Sequence, residues 1–223
     1  MAHLHKLDIL NIIRTTGIVP VFHTEDEQIA KKTVKASYDG GIRAFEFTNR
    51  GDGALQVFES LVPFVRSNCP GMALGAGTIL DAATAALYLQ AGADFIVSPG
   101  MVEEVATLCN RRGILYCPGC GTVTEILHAL QLGCDIVKIF PAETLGGPAF
   151  VKNILAPLPW VLTLCTGAVE PEQENLKAWA ASGATAVGMG SKLFSKELIK
   201  SDNYKAITDL CSSSIEWFTG RRM

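Results

Sequence analysis

The chain has 223 residues, enough to bury one sizeable core and within the size range of a closed α/β barrel. Its 19 Lys and Arg residues against 22 Asp and Glu residues give a formal net charge of −3, so no basic surface is evident and we expect no nucleic-acid partner. Residues 1–17 mix charges into apolar positions and no apolar run reaches membrane-spanning length, so we expect no signal peptide, no membrane span and a cytoplasmic location.

Eight short apolar runs rich in β-branched residues recur along the chain, each followed by a stretch with helical periodicity. This alternation predicts strand–helix units around a parallel sheet, and eight units predict closure into a (β/α)8 TIM barrel. No linker or shift of composition interrupts the pattern, so we expect one domain over residues 1–223. The predicted strands are residues 17–22, 44–48, 72–76, 95–98, 114–117, 136–140, 161–165 and 186–190.

Helix candidates lie between the predicted strands, and their boundaries carry clear signals. Asp81 and Thr122 are typical N-cap residues, and Gly92 and Gly113 stand where a helix ends in a left-handed residue. We also expect an extra helix before the first strand and a last helix that closes the ring. The predicted helices include residues 5–15, 25–38, 81–91, 102–112, 122–132, 171–182 and 203–218.

Lys138 is the most informative residue at the carboxyl ends of the strands, where such barrels build their active sites. It stands alone in an apolar strand, and burial of an ammonium group favours its neutral, nucleophilic form. A neutral amine adds to a ketone, and the resulting iminium draws electrons from an adjacent carbon–carbon bond. Strand alternation predicts that Lys138 and Glu46 both face the barrel interior, as nucleophile and acid–base group. A buried ion pair that only specifies packing is the alternative.

Two further features at the strand ends are typical of anion binding. Arg50 follows the second strand and has the fork of donors that grips a carboxylate, although an ion pair with Asp52 explains it equally well. Gly167, Gly188, Gly190 and Ser191 lie at or after the ends of the seventh and eighth strands, where barrels often hold a phosphate on backbone N–H groups. Tight turns between strand and helix are the other explanation of these glycines.

The segment Cys117-Pro-Gly-Cys120 has the spacing of a redox dithiol or of half a zinc site. The strand–helix pattern nevertheless continues through it, and none of the four histidines stands in ligand spacing with the pair. We therefore favour reduced packing thiols for all 7 cysteines, and no metal site.

Five segments, in order and with the right spacing, together resemble the 2-keto-3-deoxy-6-phosphogluconate (KDPG) / 4-hydroxy-2-oxoglutarate (KHG) aldolase family of class I aldolases. The most specific is Lys138-Ile-Phe-Pro-Ala-Glu143, which is similar to the family's Schiff-base lysine segment. The resemblance covers nearly the whole chain, from Gly17 to Ser191. The other segments are residues 46–50, 75–78, 98–100 and 118–119.

The resemblance implies reversible cleavage of a 4-hydroxy-2-keto acid, KDPG or KHG, to pyruvate plus glyceraldehyde 3-phosphate or glyoxylate. It implies a homotrimer that needs no metal and no cofactor, with Lys138 forming the imine and Glu46 moving the protons. The residues that it implies at the carboxylate and pyruvyl end are Arg50, Thr78, Pro99 and Phe140. The residues that it implies at the phosphate or distal end are Thr166, Gly167, Ala168, Gly190 and Ser191.

Two positions depart from the family pattern. Asn49 replaces a commonly apolar residue, and Ala168 stands where a second glycine is usual. Because a methyl group restricts φ, we expect Ala168 to alter the phosphate site. Three other functions stay open: a phosphosugar isomerase or epimerase in which Lys138 is only electrostatic, a silent barrel that binds an anionic metabolite, and a thiol protein acting through Cys117 and Cys120.

Overall fold

Parallel strands form one sheet that curls into a barrel in a computed structural model, which describes residues 2–220. The predicted domain also includes residue 1 and residues 221–223, which lie outside the described residues. The strands are β1 (Ile18–Phe22), β2 (Ala44–Thr48), β3 (Ala73–Gly77), β4 (Phe95–Val97), β5 (Leu115–Cys117), β6 (Gly119–Cys120), β7 (Val137–Ile139), β8 (Thr163–Thr166) and β9 (Ala186–Met189). Their order in the sheet is β5-β4-β3-β2-β1-β9-β8-β7-β6.

The fifth predicted strand, residues 114–117, corresponds to β5, and a second short strand, β6, that was not predicted follows Pro118. β5 pairs with β4 and β6 pairs with β7, so these two short strands are the two ends of the sheet. Pro118 lies between them and has no N–H to give to a ladder, while its carbonyl accepts from the Lys138 N–H at 2.7 Å. One continuous segment, residues 115–120, thus joins both ends of the sheet. The predicted (β/α)8 barrel is confirmed, and its fifth unit contains the additional short strand β6.

The helices alternate with the strands and surround the barrel. All seven predicted helices are confirmed to within two residues, and α3, α7 and α9 are additional to them. At the predicted boundaries, Asp81 accepts from the Thr84 N–H at 2.7 Å, and Gly113 has a φ of 64°. Within residues 2–220, no helix has the length and apolar composition needed to cross a bilayer. The helices are α1 (Lys6–Thr16), α2 (Glu27–Asp39), α3 (Ala54–Asn68), α4 (Ala82–Ala91), α5 (Glu103–Arg112), α6 (Val123–Gln131), α7 (Gly147–Leu155), α8 (Gln173–Ala181), α9 (Lys196–Lys200) and α10 (Tyr204–Thr219).

Alternate strand residues build two hydrophobic clusters on opposite sides of the sheet. Ala44 and Ile136 belong to the cluster inside the barrel, whereas Phe45 and Phe47 pack outward against the helices, as the alternation predicts. The extra helix α1 adds Ile9 and Ile13 to the inner cluster, directly before β1 begins. It therefore closes the amino-terminal end of the barrel, with about 1.5–3 kcal/mol of hydrophobic stabilisation from each isoleucine. The opposite end, where the strands finish, stays open for a site.

Candidate active site

The side chains of Lys138 and Glu46 meet inside the barrel. Lys138 lies on β7 and Glu46 on β2, and Nζ donates to Oε1 across 3.4 Å. Lys138 is 5% exposed and Glu46 is 0% exposed, so water screens neither charge well. The second carboxylate oxygen, Oε2 of Glu46, is buried and has no hydrogen-bond partner among residues 2–220. An unpaired buried oxygen beside an amine is costly for stability and is placed to accept or return a proton.

Gly77 at the end of β3 makes room for the Glu46 carboxylate. A Cβ atom at Gly77 would lie 2.0 Å from Oε1 of Glu46 and 2.6 Å from its carboxyl carbon. Any larger residue there would push the carboxylate away from Lys138. The glycine at this position is therefore explained by the space that the Glu46 carboxylate needs, a reason additional to any turn at the strand end.

Phe140 connects the buried pair to an open cleft. The Lys138 Nζ atom lies 5.3 Å from the centroid of the Phe140 ring, within the range of a cation–π contact. Phe140 is half-buried, and it lines a cleft of about 590 Å³ that we call the upper cleft. A compound in the upper cleft that contacts Phe140 thus comes close to the lysine amine.

The upper cleft brings together seven of the predicted site residues. It is formed where β1, β2, β7, β8 and β9 end, so residues far apart in sequence become neighbours. Lys138, Glu46, Thr78 and Pro99 do not line it. The predicted residues along its walls are Arg50, Phe140, Thr166, Gly167, Ala168, Gly190 and Ser191.

Thr78 directly follows β3, and Pro99 lies two residues after β4, which pairs with β3 in the sheet. Thr78 has a φ of 61°, an unusual conformation for a β-branched residue and one that is often found at functional sites. The Pro99 carbonyl contacts the backbone at Gly119, where a Cβ atom would lie 2.0 Å from the Pro99 oxygen.

Arg50 lines the upper cleft and is exposed. Among residues 2–220 it forms no ion pair within 4.0 Å, so the alternative pairing with Asp52 is absent from the structure. The Arg50 guanidinium is therefore available to bind a carboxylate in the upper cleft.

Backbone N–H groups and one hydroxyl form a second polar region, the distal cup, made of residues 166–168 and 190–192. In the part of the chain that the structure describes, the N–H groups of Ala168, Ser191 and Lys192 donate to no protein acceptor. The Thr166 hydroxyl is likewise buried and unpartnered, and Gly188 makes room for it, since a Cβ atom there would lie 2.3 Å from Oγ1. Unused donors that converge on a cleft are the ordinary protein site for an anion.

Cys117 and Cys120 point to opposite sides of the sheet. Cys117 belongs to the cluster inside the barrel and Cys120 to the cluster under the helices, and both thiols are buried and free. Burial raises the pKa of Cys120 to about 12 and that of Cys117 well above the usual thiol range, so both stay protonated. The strand alternation that separates them argues against a redox dithiol, and the favoured assignment to packing fits this geometry. Among residues 2–220, no three His, Cys, Asp or Glu side chains are grouped as metal ligands.

The upper cleft also contains polar residues that were not among the predicted site residues. His23 directly follows β1, so the rule that selected the other strand ends would have found it. Thr48 ends β2 and donates to the Phe22 carbonyl at 3.4 Å. Lys192, Lys196 and Lys200 lie after β9. Only the folded position of this segment, which includes α9, shows that they line the cleft. Their signal in the sequence is weak because exposed lysines are common on any helix.

The two departures from the expected pattern each have a local structural consequence. The Asn49 side-chain oxygen accepts from the Tyr88 hydroxyl at 2.9 Å, which ties the end of β2 to α4. Ala168 adopts a φ of 56°, the left-handed conformation that glycine prefers. The backbone of the distal cup thus keeps the shape of a glycine site although an alanine stands there.

The fold and the buried pair define the class of protein, a (β/α)8-barrel lyase with an amine and a carboxylate enclosed at the carboxyl ends of its strands. The family model "KDPG and KHG aldolase" matches residues 9–210. The chain belongs to this aldolase family.

Individual relatives agree with the family match. A 2-dehydro-3-deoxy-phosphogluconate aldolase of Treponema pallidum is 30% identical over 94% of this chain and 97% of its own length. A 2-dehydro-3-deoxy-6-phosphogalactonate aldolase of Escherichia coli K12 is 33% identical over 85% of each chain. Among solved structures, the KDPG aldolase of Legionella pneumophila with pyruvate captured as a covalent carbinolamine superposes with a TM-score of 0.81, at 28% identity over 91% of this chain and 95% of that one.

Proposed function

We propose that this chain is a class I aldolase in which Lys138 forms a Schiff base with a 2-keto acid and Glu46 transfers the protons. The observation that carries the proposal is the 3.4 Å contact between Nζ of Lys138 and Oε1 of Glu46, buried at the floor of the site. A pair that served only for packing would have no reason to lie at the open end of the barrel.

The proposed cleavage runs through bonds to Lys138. The neutral amine adds to the C2 carbonyl, water leaves, and an iminium forms. The C3–C4 bond then breaks as Glu46 takes the proton of the C4 hydroxyl, directly or through a water; an aldehyde departs and the electron pair passes into an enamine. Glu46 returns the proton to C3, and hydrolysis of the imine releases pyruvate and the free lysine. The protonated imine is the electron sink, so this route needs neither a metal nor a cofactor.

We assign the pyruvyl end of the substrate to Arg50, Thr78, Pro99 and Phe140. Arg50 lines the upper cleft, forms no ion pair with any of residues 2–220, and would hold the C1 carboxylate. The Phe140 ring, next to Nζ of Lys138, would pack on the pyruvyl group and exclude water from the imine. Thr78 and Pro99 would close the side of this pocket formed by β3 and β4.

We assign the distal end of the substrate to Thr166, Gly167, Ala168, Gly190 and Ser191. Support comes from the unpartnered hydroxyl of Thr166 and from the unused N–H groups of Ala168 and Ser191. The substrates that we propose are KDPG, which ends in a phosphate, and KHG, which ends in a carboxylate. Both give pyruvate, together with glyceraldehyde 3-phosphate or glyoxylate.

A pyruvate-release assay with KDPG and KHG tests the proposal on wild type, Lys138→Ala and the surface control Lys152→Ala. We expect pyruvate from wild type and the control, and none above background from Lys138→Ala. Borohydride added with pyruvate should leave a reduced pyruvyl adduct on Lys138 of the folded protein, located by peptide mass spectrometry. Activity that survives in Lys138→Ala would favour the isomerase or epimerase alternative, in which the lysine is only electrostatic.

We also propose that residues 1–223 act as one domain within a cytoplasmic homotrimer that binds a small 2-keto acid. One sheet takes strands from residues 18–189, which supports a single domain. Four exposed apolar side chains on or near α4 and α6 offer surface for subunit contact: Leu80, Leu87, Val123 and Leu127. Light scattering after size exclusion should give about three times the chain mass of 23.9 kDa. A single-chain mass would contradict the trimer.

A further inference from the structure

The upper cleft carries more positive charge than a single pyruvyl carboxylate requires. Its charged lining residues are Arg50, Lys192, Lys196 and Lys200, and no Asp or Glu of the described residues lines it. Arg50, at the end of β2, is assigned to the carboxylate. The three lysines follow β9, which only β1 separates from β2 in the sheet; Lys192 belongs to the distal cup, and Lys196 and Lys200 lie on α9.

The three lysines differ in their partners. Lys192 binds Glu170 at 2.9 Å, an ion pair that links the segment after β9 to the segment after β8. Lys196 and Lys200 form no ion pair within 4.0 Å among residues 2–220. They lie one turn apart on α9, and both line the cleft. Glu197 is on the same helix and does not line the cleft. Hydrogen bonds from its own N–H and from Ser195, together with the Lys200 and Lys196 charges, lower the pKa of its carboxyl group, so its charge offsets part of theirs.

We propose that Lys196 and Lys200 make this aldolase selective for a substrate that ends in a phosphate ester over one that ends in a carboxylate. The inference rests on the proposed function and decides between its two substrates. A phosphate carries about two negative charges near neutral pH and a carboxylate carries one, so the same two lysines attract the phosphate about twice as strongly. The unused N–H groups of Ala168 and Ser191 supply short contacts to the distal group, and the lysines supply the field that favours the dianion.

Lys196 and Lys200 are exposed, so solvent limits how strongly their charges can favour the phosphate. Exposed charges interact weakly one pair at a time, and dissolved salt screens them within about 10 Å at 0.1 M ionic strength. The selectivity should therefore be modest for either lysine alone, larger for both, and weaker at high salt. Contacts made only by backbone N–H groups would show little of this salt dependence.

The test compares the double variant Lys196→Gln/Lys200→Gln with the control Lys152→Gln/Lys177→Gln, which removes two exposed lysines from α7 and α8. Lys192 is left intact because its loss would release the Glu170 carboxylate. We expect kcat/KM for KDPG to fall about tenfold in the double variant and kcat/KM for KHG to fall less than about threefold. The control should change neither value by more than about twofold.

Inorganic phosphate provides a second readout that does not depend on turnover. Calorimetric titration should give weaker phosphate binding to the double variant, with a Kd raised about tenfold, and unchanged binding to the control. Equal losses for KDPG and KHG, or phosphate binding that the double variant retains, would overturn the inference while leaving the aldolase proposal intact. Absence of pyruvate from both substrates with wild-type protein would instead contradict the proposed function, and the phosphate titration would still test the lysines.

Discussion

The two ends of the site are built in opposite ways. At the pyruvyl end, Lys138 and Glu46 project from strands, are almost fully buried, and depend on each other within 3.4 Å. At the distal end, the groups are backbone N–H donors of loop segments and exposed lysines on α9. The first end is fixed by the barrel core, whereas the second can change with the loops that follow β8 and β9.

This difference agrees with the separate steps that the proposed function assigns to the two ends. Bond formation and proton transfer need groups held rigidly in a site of low dielectric, which strands inside a packed barrel provide. Recognition of the distal group needs charge and donors at the surface, which loops provide without disturbing the core. We therefore expect substitutions at the buried end to lower kcat for every substrate, and substitutions at the distal end to change the choice of substrate.

Glu46→Gln should have the largest effect among the variants considered next. The amide keeps the shape of the side chain but cannot take a proton, so we expect kcat to fall by about 10²- to 10⁴-fold with both KDPG and KHG. Borohydride trapping of pyruvate on Lys138 should persist, because the amine is still present. A variant that keeps kcat within a few-fold of wild type would remove Glu46 from the acid–base role and reduce the contrast between the two ends.

Gly77→Ala should come next, through geometry alone. Its new Cβ atom would lie 2.0 Å from Oε1 of Glu46, so the carboxylate must shift, and we expect kcat to fall by about 10- to 100-fold. The overpacked core should also lose about 1–3 kcal/mol of stability, measurable by urea unfolding.

The matched control for Gly77→Ala is Gly53→Ala, because a Cβ atom at Gly53 meets nothing within 4 Å and its φ of −85° suits alanine. This control should stay within about 0.5 kcal/mol and about twofold of wild type. If Gly77→Ala behaves like the control, the close fit between β3 and the carboxylate has no role in catalysis.

Ala168→Gly tests the distal end and should have a smaller effect. An L residue at a φ of 56° carries about 1–2 kcal/mol of backbone strain, which glycine relieves. Part of this gain in stability is offset because glycine increases the conformational entropy of the unfolded chain. We expect a net gain of about 0.5–1 kcal/mol in the free energy of unfolding, with kcat unchanged within about twofold. The contrasting variant Ala178→Gly, at an exposed position inside α8, should lose about 1 kcal/mol. A destabilised Ala168→Gly would show that the left-handed backbone carries no strain.

Cys120→Ala should have the smallest effect on the reaction. The Cys120 thiol faces the outer cluster, away from Lys138, and burial raises its pKa to about 12. We expect kcat within about twofold of wild type and a stability loss of about 1 kcal/mol from the lost sulfur contacts. Loss of most of the activity would revive the thiol function and place chemistry outside both ends of the site.

The barrel could be predicted because its units repeat. Hydrophobic alternation, N-cap residues and helix-ending glycines are local signals, and seven helices were predicted to within two residues. Helix α3 was not among them; it contains Pro63, a residue that usually ends a helix. Strand β6 after Pro118 was not predicted either. The two short strands pair with different neighbours, β5 with β4 and β6 with β7, and residues 115–120 taken alone do not reveal those partners.

The candidate catalytic residues could be predicted where a charged side chain stands in an otherwise apolar segment. Lys138 and Glu46 each stand in an apolar strand, where a charged side chain is unusual, and strand alternation indicates that both face the barrel interior. His23, Lys196 and Lys200 have no such conflict, because polar residues after a strand or on a short helix are ordinary. Their membership of the upper cleft depends on how the segments after β1 and β9 fold over it.

By itself, the sequence determined the repeating strand–helix units, the inward faces of β2 and β7, and the two residues that the proposed chemistry needs. Only the tertiary structure decided that the two carboxylate oxygens of Glu46 differ, that Gly77 makes room for one of them, and that lysines of α9 share a cleft with Arg50. The physical reason is the distance along the chain over which each effect acts. Propensity and alternation act between near neighbours in the chain, whereas contacts and shared fields depend on distances that exist only after the barrel has closed.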